Sequence, residues 1–368
     1  MDIRIDNPVG RVPDPRTLMA RTLDLSPAGW RLGRHRGTWD SGLNRHLCAL
    51  DNAHQLRVGG EGAPHAARDQ VADFLQRAIA RGTFVHGDLG TDLTTALPPE
   101  LAAQITTDPT GRPGDLDWDV QSVRQRRAVL QPLVARWPTV SLVLVSRRGD
   151  RVAAMVKRLS TLDYPELEIV VGLHGVPAPS GLSEVAGSRS LVVREFPADQ
   201  VFGSVINDAF ACASGELVGK VDDDDFFGDP HLMDLVMAHG YSRATLVGKS
   251  TTVIFLEAID TTVRRLHGVR ESFTDRVAGS TFLMTPEDLA DVGGWPSVPR
   301  AVDTHLINAI RRESGTIYQP HDIGYLYVRN ADPSEHTWGT GGDHFLRNTR
   351  EQWIGLLRHP EFGTEGEA

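Results

Sequence analysis

Leu217-Val218-Gly219-Lys220-Val221-Asp222-Asp223-Asp224-Asp225-Phe226-Phe227 decides how this chain reads. Five residues of strand character run directly into four consecutive carboxylates, and two phenylalanines follow. Carboxylates packed this closely repel one another, and a divalent cation is the usual partner that offsets such repulsion. Hard cations such as Mg²⁺ and Mn²⁺ take oxygen ligands and are often shared with substrate phosphates. A strand ending in Asp-x-Asp therefore suggests a metal–diphosphate site at the carboxyl edge of a sheet, where open α/β sheets bind ligands. A bare acidic run would read as a solvated turn. The apolar residues on both sides of this one argue against that.

Working outward, Val140-Ser141-Leu142-Val143-Leu144-Val145-Ser146 is a buried-type strand. Residues 150–162 have helical period, and Tyr164-Pro165 breaks it. Residues 167–173 and 191–193 read as strands, and 205–213 as the helix before the acidic strand. Strands alternating with helices imply βαβ units and a mainly parallel central sheet flanked by helices, an α/β class. Beyond the aspartates, 230–238 reads as a helix and 245–248, 252–256 and 281–284 as strands. Thr285-Pro286-Glu287-Asp288 has the grammar of a helix start. A helix over 303–312, a strand near 323–328 and a last helix over 344–357 complete the pattern.

Residues 1–137 are poor in long apolar runs and read as an accessory extension, mostly helical or irregular. Helices are expected at 66–80, near Pro98-Pro99-Glu100, and over 120–137. Trp30, Trp39, His35, His46 and His54 lie there without metal-ligand spacing. The division expected is 1–137 accessory, 138–342 catalytic, and 343–368 a C-terminal helix and tail.

The net charge of −10 and the lack of a basic, aromatic-laced stripe argue against nucleic-acid binding. Cys48 and Cys212 give no disulfide framework and read as packed, reduced thiols. The first 21 residues lack the apolar stretch of a signal peptide, and no run approaches the ~20 apolar residues of a membrane span. A cytoplasmic protein is expected, with peripheral membrane contact and homo-oligomerisation left open.

The order of features resembles the family 2 type of nucleotide-sugar glycosyltransferase with the GT-A (Rossmann-like) fold. The resemblance covers about residues 138–340. It rests on Pro138-Thr139-Val140-Ser141-Leu142, Tyr164-Pro165-Glu166-Leu167-Glu168, and Gly203, Asn207, Ala209, Ala213, Ser214 and Gly215. It rests also on the acidic run, Ala278-Gly279, Gly293-Gly294-Trp295, and Asp303 before Leu306-Ile307. It implies transfer of a sugar from a nucleotide-diphosphate sugar, with Mn²⁺ or Mg²⁺ offsetting charge on the leaving diphosphate. A glycan, a lipid-linked molecule, a small molecule or a peptide would be the acceptor. Asp222 would approach ribose and metal, and Asp224 would ligate the metal, with Asp223 and Asp225 orienting the motif. Asp303 would be the general base of an inverting reaction, or else a helix N-cap. His336, in Glu335-His336-Thr337-Trp338, would complete the metal shell or pack beside Trp338.

Ser146, Arg147, His174, Lys220, Asp223 and Arg329 are the remaining candidates for the nucleotide. Arg147-Arg148 could hold a phosphate or form a solvated turn. Lys220 could temper the aspartates, meet a phosphate or lie at the surface. The sequence departs from the family at Gly172-Leu173-His174-Gly175, where an Asp pair often reads uracil, and at Val302-Asp303, where a Glu-Asp pair is usual. Two rivals share the acidic edge: a nucleotidyltransferase and a non-catalytic nucleotide- or sugar-binding protein. The first would want a Gly-rich basic loop, and Ser146-Arg147-Arg148-Gly149-Asp150 is too short for one.

Overall fold

A computed structural model describes residues 1–12, 19–265, 270–332 and 344–365. The chain divides into two compact units. One is Met1–Ala135 with Val269–Ser272, the other Arg136–Gly268 with Phe273–Ala368.

The first unit carries strands β1 (Ala20–Ser26), β2 (Gly29–Leu32), β3 (His35–Gly37), β4 (Gln55–Gly60) and β5 (Phe84–Gly87). Its helices are α1 (Arg68–Ala80), α2 (Gly90–Thr94), α3 (Pro99–Ala102) and α4 (Leu116–Leu130). The strands form one mixed sheet in the order β3-β2-β1-β4-β5. This corrects the expectation of a mostly helical or irregular region. The strands are short and interrupted by Arg, Asp and Gly, so no apolar run announces them. Their signal is alternation: Leu23 and Leu25, and Leu56 and Val58, point to the buried face while Asp24 and Arg57 do not. In α1, Val71, Phe74, Leu75 and Ala78 are fully buried, as their spacing predicts. The open edge of β5 is closed by Gln125 of α4. Its buried amide accepts from Val85 N at 2.9 Å and donates to Val85 O at 2.6 Å. A side chain thus satisfies backbone groups that would otherwise form a bare edge.

The second unit carries β6 (Val140–Ser146), β7 (Leu167–His174), β8 (Ser190–Phe196), β9 (Leu217–Val221), β10 (Phe226–Phe227), β11 (Leu246–Val247), β12 (Val253–Leu256) and β13 (Thr261–Arg265). After β14 (Ser272–Phe273), which spans the division, come β15 (Leu283–Met284), β16 (Ile317–Gln319), β17 (Tyr325–Arg329) and β18 (Thr349–Ile354). Its helices are α5 (Gly149–Ser160), α6 (Leu182–Ala186), α7 (Phe202–Phe210), α8 (His231–Ser242), α9 (Pro286–Asp291) and α10 (Val302–Arg312).

The central sheet runs β14-β16-β11-β15-β9-β6-β7-β8. β9, β6, β7 and β8 are parallel neighbours, and only β15 opposes its partners β9 and β11. Burial on both faces explains the near-continuous apolar run of β6. Val143, Val170 and Val218 from the sheet pack with Ile206 of α7 and Leu306 and Ile310 of α10. Gly294, at φ +73°, lets the Gly-Gly-Trp segment dock there. A Cβ would meet Asn207 Oδ1 at 2.6 Å, and that oxygen accepts from Trp295 N at 3.1 Å.

A second sheet, β10-β17-β12-β13-β18, encloses Ile254, Leu256, Val263 and Phe345. Two expected strands, β12 and β17, belong to this layer. The helix expected over 344–357 is absent. That stretch holds β18, paired antiparallel with β13 through Thr262↔Trp353 and Val263↔Gln352. Thr349, Trp353 and Ile354 suit a pleated edge better than a helix. Cys48 is exposed and Cys212 half-buried, and both are free, so the expected packing of the thiols fails for Cys48. No described helix is long and apolar enough to cross a membrane.

Candidate active site at the carboxyl edge of the central sheet

Because β6, β7 and β9 run in parallel, Ser146, His174 and the residues after Val221 emerge at one edge. The β6–β9 register pairs Leu144 with Val221. Continued by two places, it sets Ser146 opposite Asp223, and the Ser146 hydroxyl donates to that carboxylate. Arg148 folds back over the same group. Its Nε donates to Asp223 Oδ2 at 3.1 Å, and its Nη2 bonds both Asp223 and Asp224, the latter at 2.9 Å. Asn330, just past β17, donates to Asp224 Oδ2 at 2.9 Å. Arg151 lies 4.0 Å from the same oxygen.

Asp225 turns the other way. It accepts from Ser280 Oγ at 2.6 Å, Tyr325 Oη at 2.9 Å and Val328 N at 3.0 Å. It is fully enclosed, and burial followed by the charges of Asp224 and Asp222 pushes its carboxyl well above the usual range. Burial, then Asp222 and Asp223, also raises Asp224, with Arg148 pulling the other way.

On the other face of β9, residues 218, 220 and 222 share a side by the two-residue period of a strand. Lys220 Nζ donates to Asp222 Oδ1 at 2.6 Å and lies 3.4 Å from Asp303 Oδ1. The Lys220 ammonium is raised: burial opposes its charge, but Asp222 and Asp303 outweigh it. Asp303 sits in the first turn of α10. The N-cap position belongs to Ala301, and no side chain caps the helix. The Asp303 side chain is 34% exposed, and its carboxyl is raised by removal from water and by Asp222, with Lys220 opposing. Its Oδ1 makes this ion pair but no hydrogen bond. Gly279 lies directly against it, since a Cβ there would stand 2.2 Å from Asp303 Oδ2. The glycine of Ala278-Gly279 thus makes room for the carboxylate.

Arg147 points away from the aspartates. Its Nε lies 3.0 Å from His174 Nδ1, and His174 stacks on Phe202 with ring centres 6.1 Å apart. Burial and the Arg147 charge lower the His174 imidazole, so it stays neutral and able to accept. Arg329 ends β17 over the Phe345 ring at 5.7 Å. His336 lies outside the described residues. The structure thus gathers Ser146, Asp223 and Asp224 around Arg148, and Asp222 and Asp303 around Lys220, at one sheet edge. Arg147 with His174 and Arg329 with Phe345 form contacts beside them. Sequence reading missed Arg151, Ser280, Tyr325 and Asn330. Asn330 follows Arg329 directly, which was the one available cue.

Among the described residues no group of three His, Cys, Asp or Glu side chains has metal-holding geometry. The donor chemistry still fits a hard divalent cation. Asp222 and Asp224 offer carboxylate oxygens two residues apart at the strand end, and the Asp222 side chain is 41% exposed. Magnesium-type sites commonly use one or two carboxylates and complete the shell with substrate phosphates and water.

No protein-family model matches the chain, and no curated protein matches it. Similar solved structures include the mannosyltransferase PcManGT from Pyrobaculum calidifontis with GDP-Man and Mn²⁺. It is 17% identical, over 53% of this chain and 57% of that one, with a TM-score of 0.41. Another is S. aureus TarS 1–349 with UDP-GlcNAc, 16% identical over 54% of this chain and 60% of that one, with a TM-score of 0.43. These neighbours are nucleotide-sugar glycosyltransferases. The chain spans less than two thirds of either, and likeness this distant assigns neither residue nor activity.

Proposed function

We propose that the chain is a metal-dependent glycosyltransferase that moves a sugar from a nucleotide-diphosphate sugar to a hydroxyl acceptor. One observation carries the reading. Asp303, a partly open carboxylate whose buried Oδ1 faces Lys220, is tied through Lys220 to Asp222 at the acidic edge of a parallel sheet. A base and a diphosphate-binding edge are the two parts that glycosyl transfer needs.

In this reading Asp222 and Asp224 would hold the cation. When bound, it would supply positive charge against the leaving diphosphate. Asp303 takes the acceptor's proton as the acceptor oxygen bonds to the anomeric carbon. The bond from that carbon to the diphosphate oxygen breaks on the opposite face, and its electron pair leaves with the phosphate. The configuration inverts. The raised carboxyl makes Asp303 a stronger base than an ordinary aspartate. Lys220 keeps it ionised and in place. Arg147, with neutral His174 and Phe202, offers a cationic and aromatic surface to the nucleoside.

The test is a donor-turnover assay with Mn²⁺ across nucleotide-diphosphate sugars, for wild type and Asp303→Asn. Release of nucleoside diphosphate that the variant loses is expected. Pyrophosphate release would indicate a nucleotidyltransferase, and binding without turnover a non-catalytic protein.

A further inference from the structure

We infer that Arg148 is the built-in counter-ion of the acidic edge: it holds Asp223 and Asp224 while donor is absent and passes to the donor's diphosphate when a cation takes Asp224. This rests on the reading above and adds an ordering of events that the reading does not contain.

The geometry supports it in three ways. First, Arg148 is placed by its own backbone. Its N–H donates to Ser146 Oγ at 2.8 Å, while that hydroxyl donates to Asp223. The turn after β6 therefore aims the guanidinium across the strand ends. Second, Asp224 Oδ2 already accepts from Arg148 and from Asn330, both at 2.9 Å. A cation reaching that oxygen must displace at least one of these donors. Third, the guanidinium is 27% exposed, whereas Asp223 beneath it is 4% exposed. The guanidinium is therefore the part of this pair that solvent reaches.

The chemistry then sets the coupling. A cation arriving alone must break charge-assisted bonds and leave Arg148 without a full partner, so it binds weakly. A nucleoside diphosphate arriving alone meets an Arg148 already committed to Asp223 and Asp224. Arriving together, the cation takes the carboxylate and the diphosphate takes the guanidinium, whose planar fork matches phosphate oxygens. Each ligand therefore tightens the other by the same factor. Asp223 keeps Ser146 throughout and anchors the turn.

The experiment measures Mn²⁺ binding directly, by calorimetry or by the spin signal of free Mn²⁺, with and without GDP or UDP. Wild type is expected to bind Mn²⁺ about 5–150-fold more tightly with the nucleotide present. In Arg148→Gln, Mn²⁺ alone should bind about tenfold more tightly, nucleotide alone more weakly, and the coupling should largely vanish. Arg148→Lys retains charge and should keep weak Mn²⁺ binding, which separates lost charge from a disturbed turn. Unchanged coupling in Arg148→Gln overturns this inference alone. Tighter nucleotide binding by that variant also overturns it. Wild type that takes Mn²⁺ neither with nor without nucleotide overturns the underlying reading, and the inference with it.

Discussion

At the edge of the central sheet, Asp222 and Asp303 share Lys220, Asp224 pairs with Arg148, and all three stay partly open to water. In the core of the same unit, Lys249 and Asp234 are sealed at 0% exposure and paired at 3.2 Å. Lys249 Nζ also donates to the Ile323 carbonyl, and His321 Nε2 lies 3.4 Å from Asp234. His231, whose ring is held far below its usual pKa by burial and then by Lys249, completes the surroundings against the Gly324 carbonyl. The core pair closes on itself and fixes where β11, α8 and the turn before β17 meet. The edge cluster is open-ended: Asp224 and Asp303 are lifted by burial and then by neighbouring carboxylates, with partners that a ligand can replace. Charge in a fold is structural where the protein completes the pairing, and available for chemistry where the pairing is left for something else.

That contrast can be broken in the core first. Lys249→Met strands Asp234 in the interior and should cost about 3–5 kcal/mol of stability. Urea unfolding measures this, and a loss below 1 kcal/mol would mean the pair is not structural. Asp303→Asn should do the opposite. It should lower turnover by about 10²–10⁴-fold and leave the urea midpoint close to wild type. A matching loss of stability would move Asp303 into the structural class. Gly279→Ala sharpens the point without touching charge. Its methyl would push the Asp303 carboxylate aside, and a displacement near 1 Å costs on the order of 10²-fold in rate. Full activity in this variant would show that the base acts from another position.

The smallest effect is in pH. Asp303 must be ionised to accept a proton, so activity is present above its pKa and lost as pH falls through it. Its pKa is raised, so the acid limb of kcat should lie above the ordinary aspartate value of about 3.9. Lys220 lowers that pKa, so Lys220→Met should move the limb to still higher pH. A limb that stays fixed or moves down would detach Asp303 from the rate.

The parallel strands of the second unit were legible because burial on both faces writes an uninterrupted apolar run, as in β6. The acidic edge was legible because four aspartates at a strand end are hard to reconcile with a bland turn. Other parts depended on distance in the chain. Asp225 is satisfied by Ser280, Tyr325 and Val328, 55 to 103 residues away, and nothing local signals that pairing. Arg147 and Arg148 are equivalent in sequence. In the fold the Arg148 amide bonds Ser146 and its side chain reaches the aspartates, while Arg147 reaches His174. The sheet of the first unit was hidden for a different reason. Its strands of three to seven residues alternate with charge, so a search for apolar runs passes over them.

The hydrogen bond from Val328 to Asp225 gives the molecule a clock. The chain leaves the central sheet at Val221 and enters the second sheet at Phe226, and Asp225 is the staple between them. The Val328 amide sits in β17 yet donates across to that staple. Its deuterium uptake therefore requires that bond at the seam to open, and its rate reports how often it does. A ligand gripping Asp222 and Asp224 would stiffen the seam without touching Val328, and would slow that exchange from a distance.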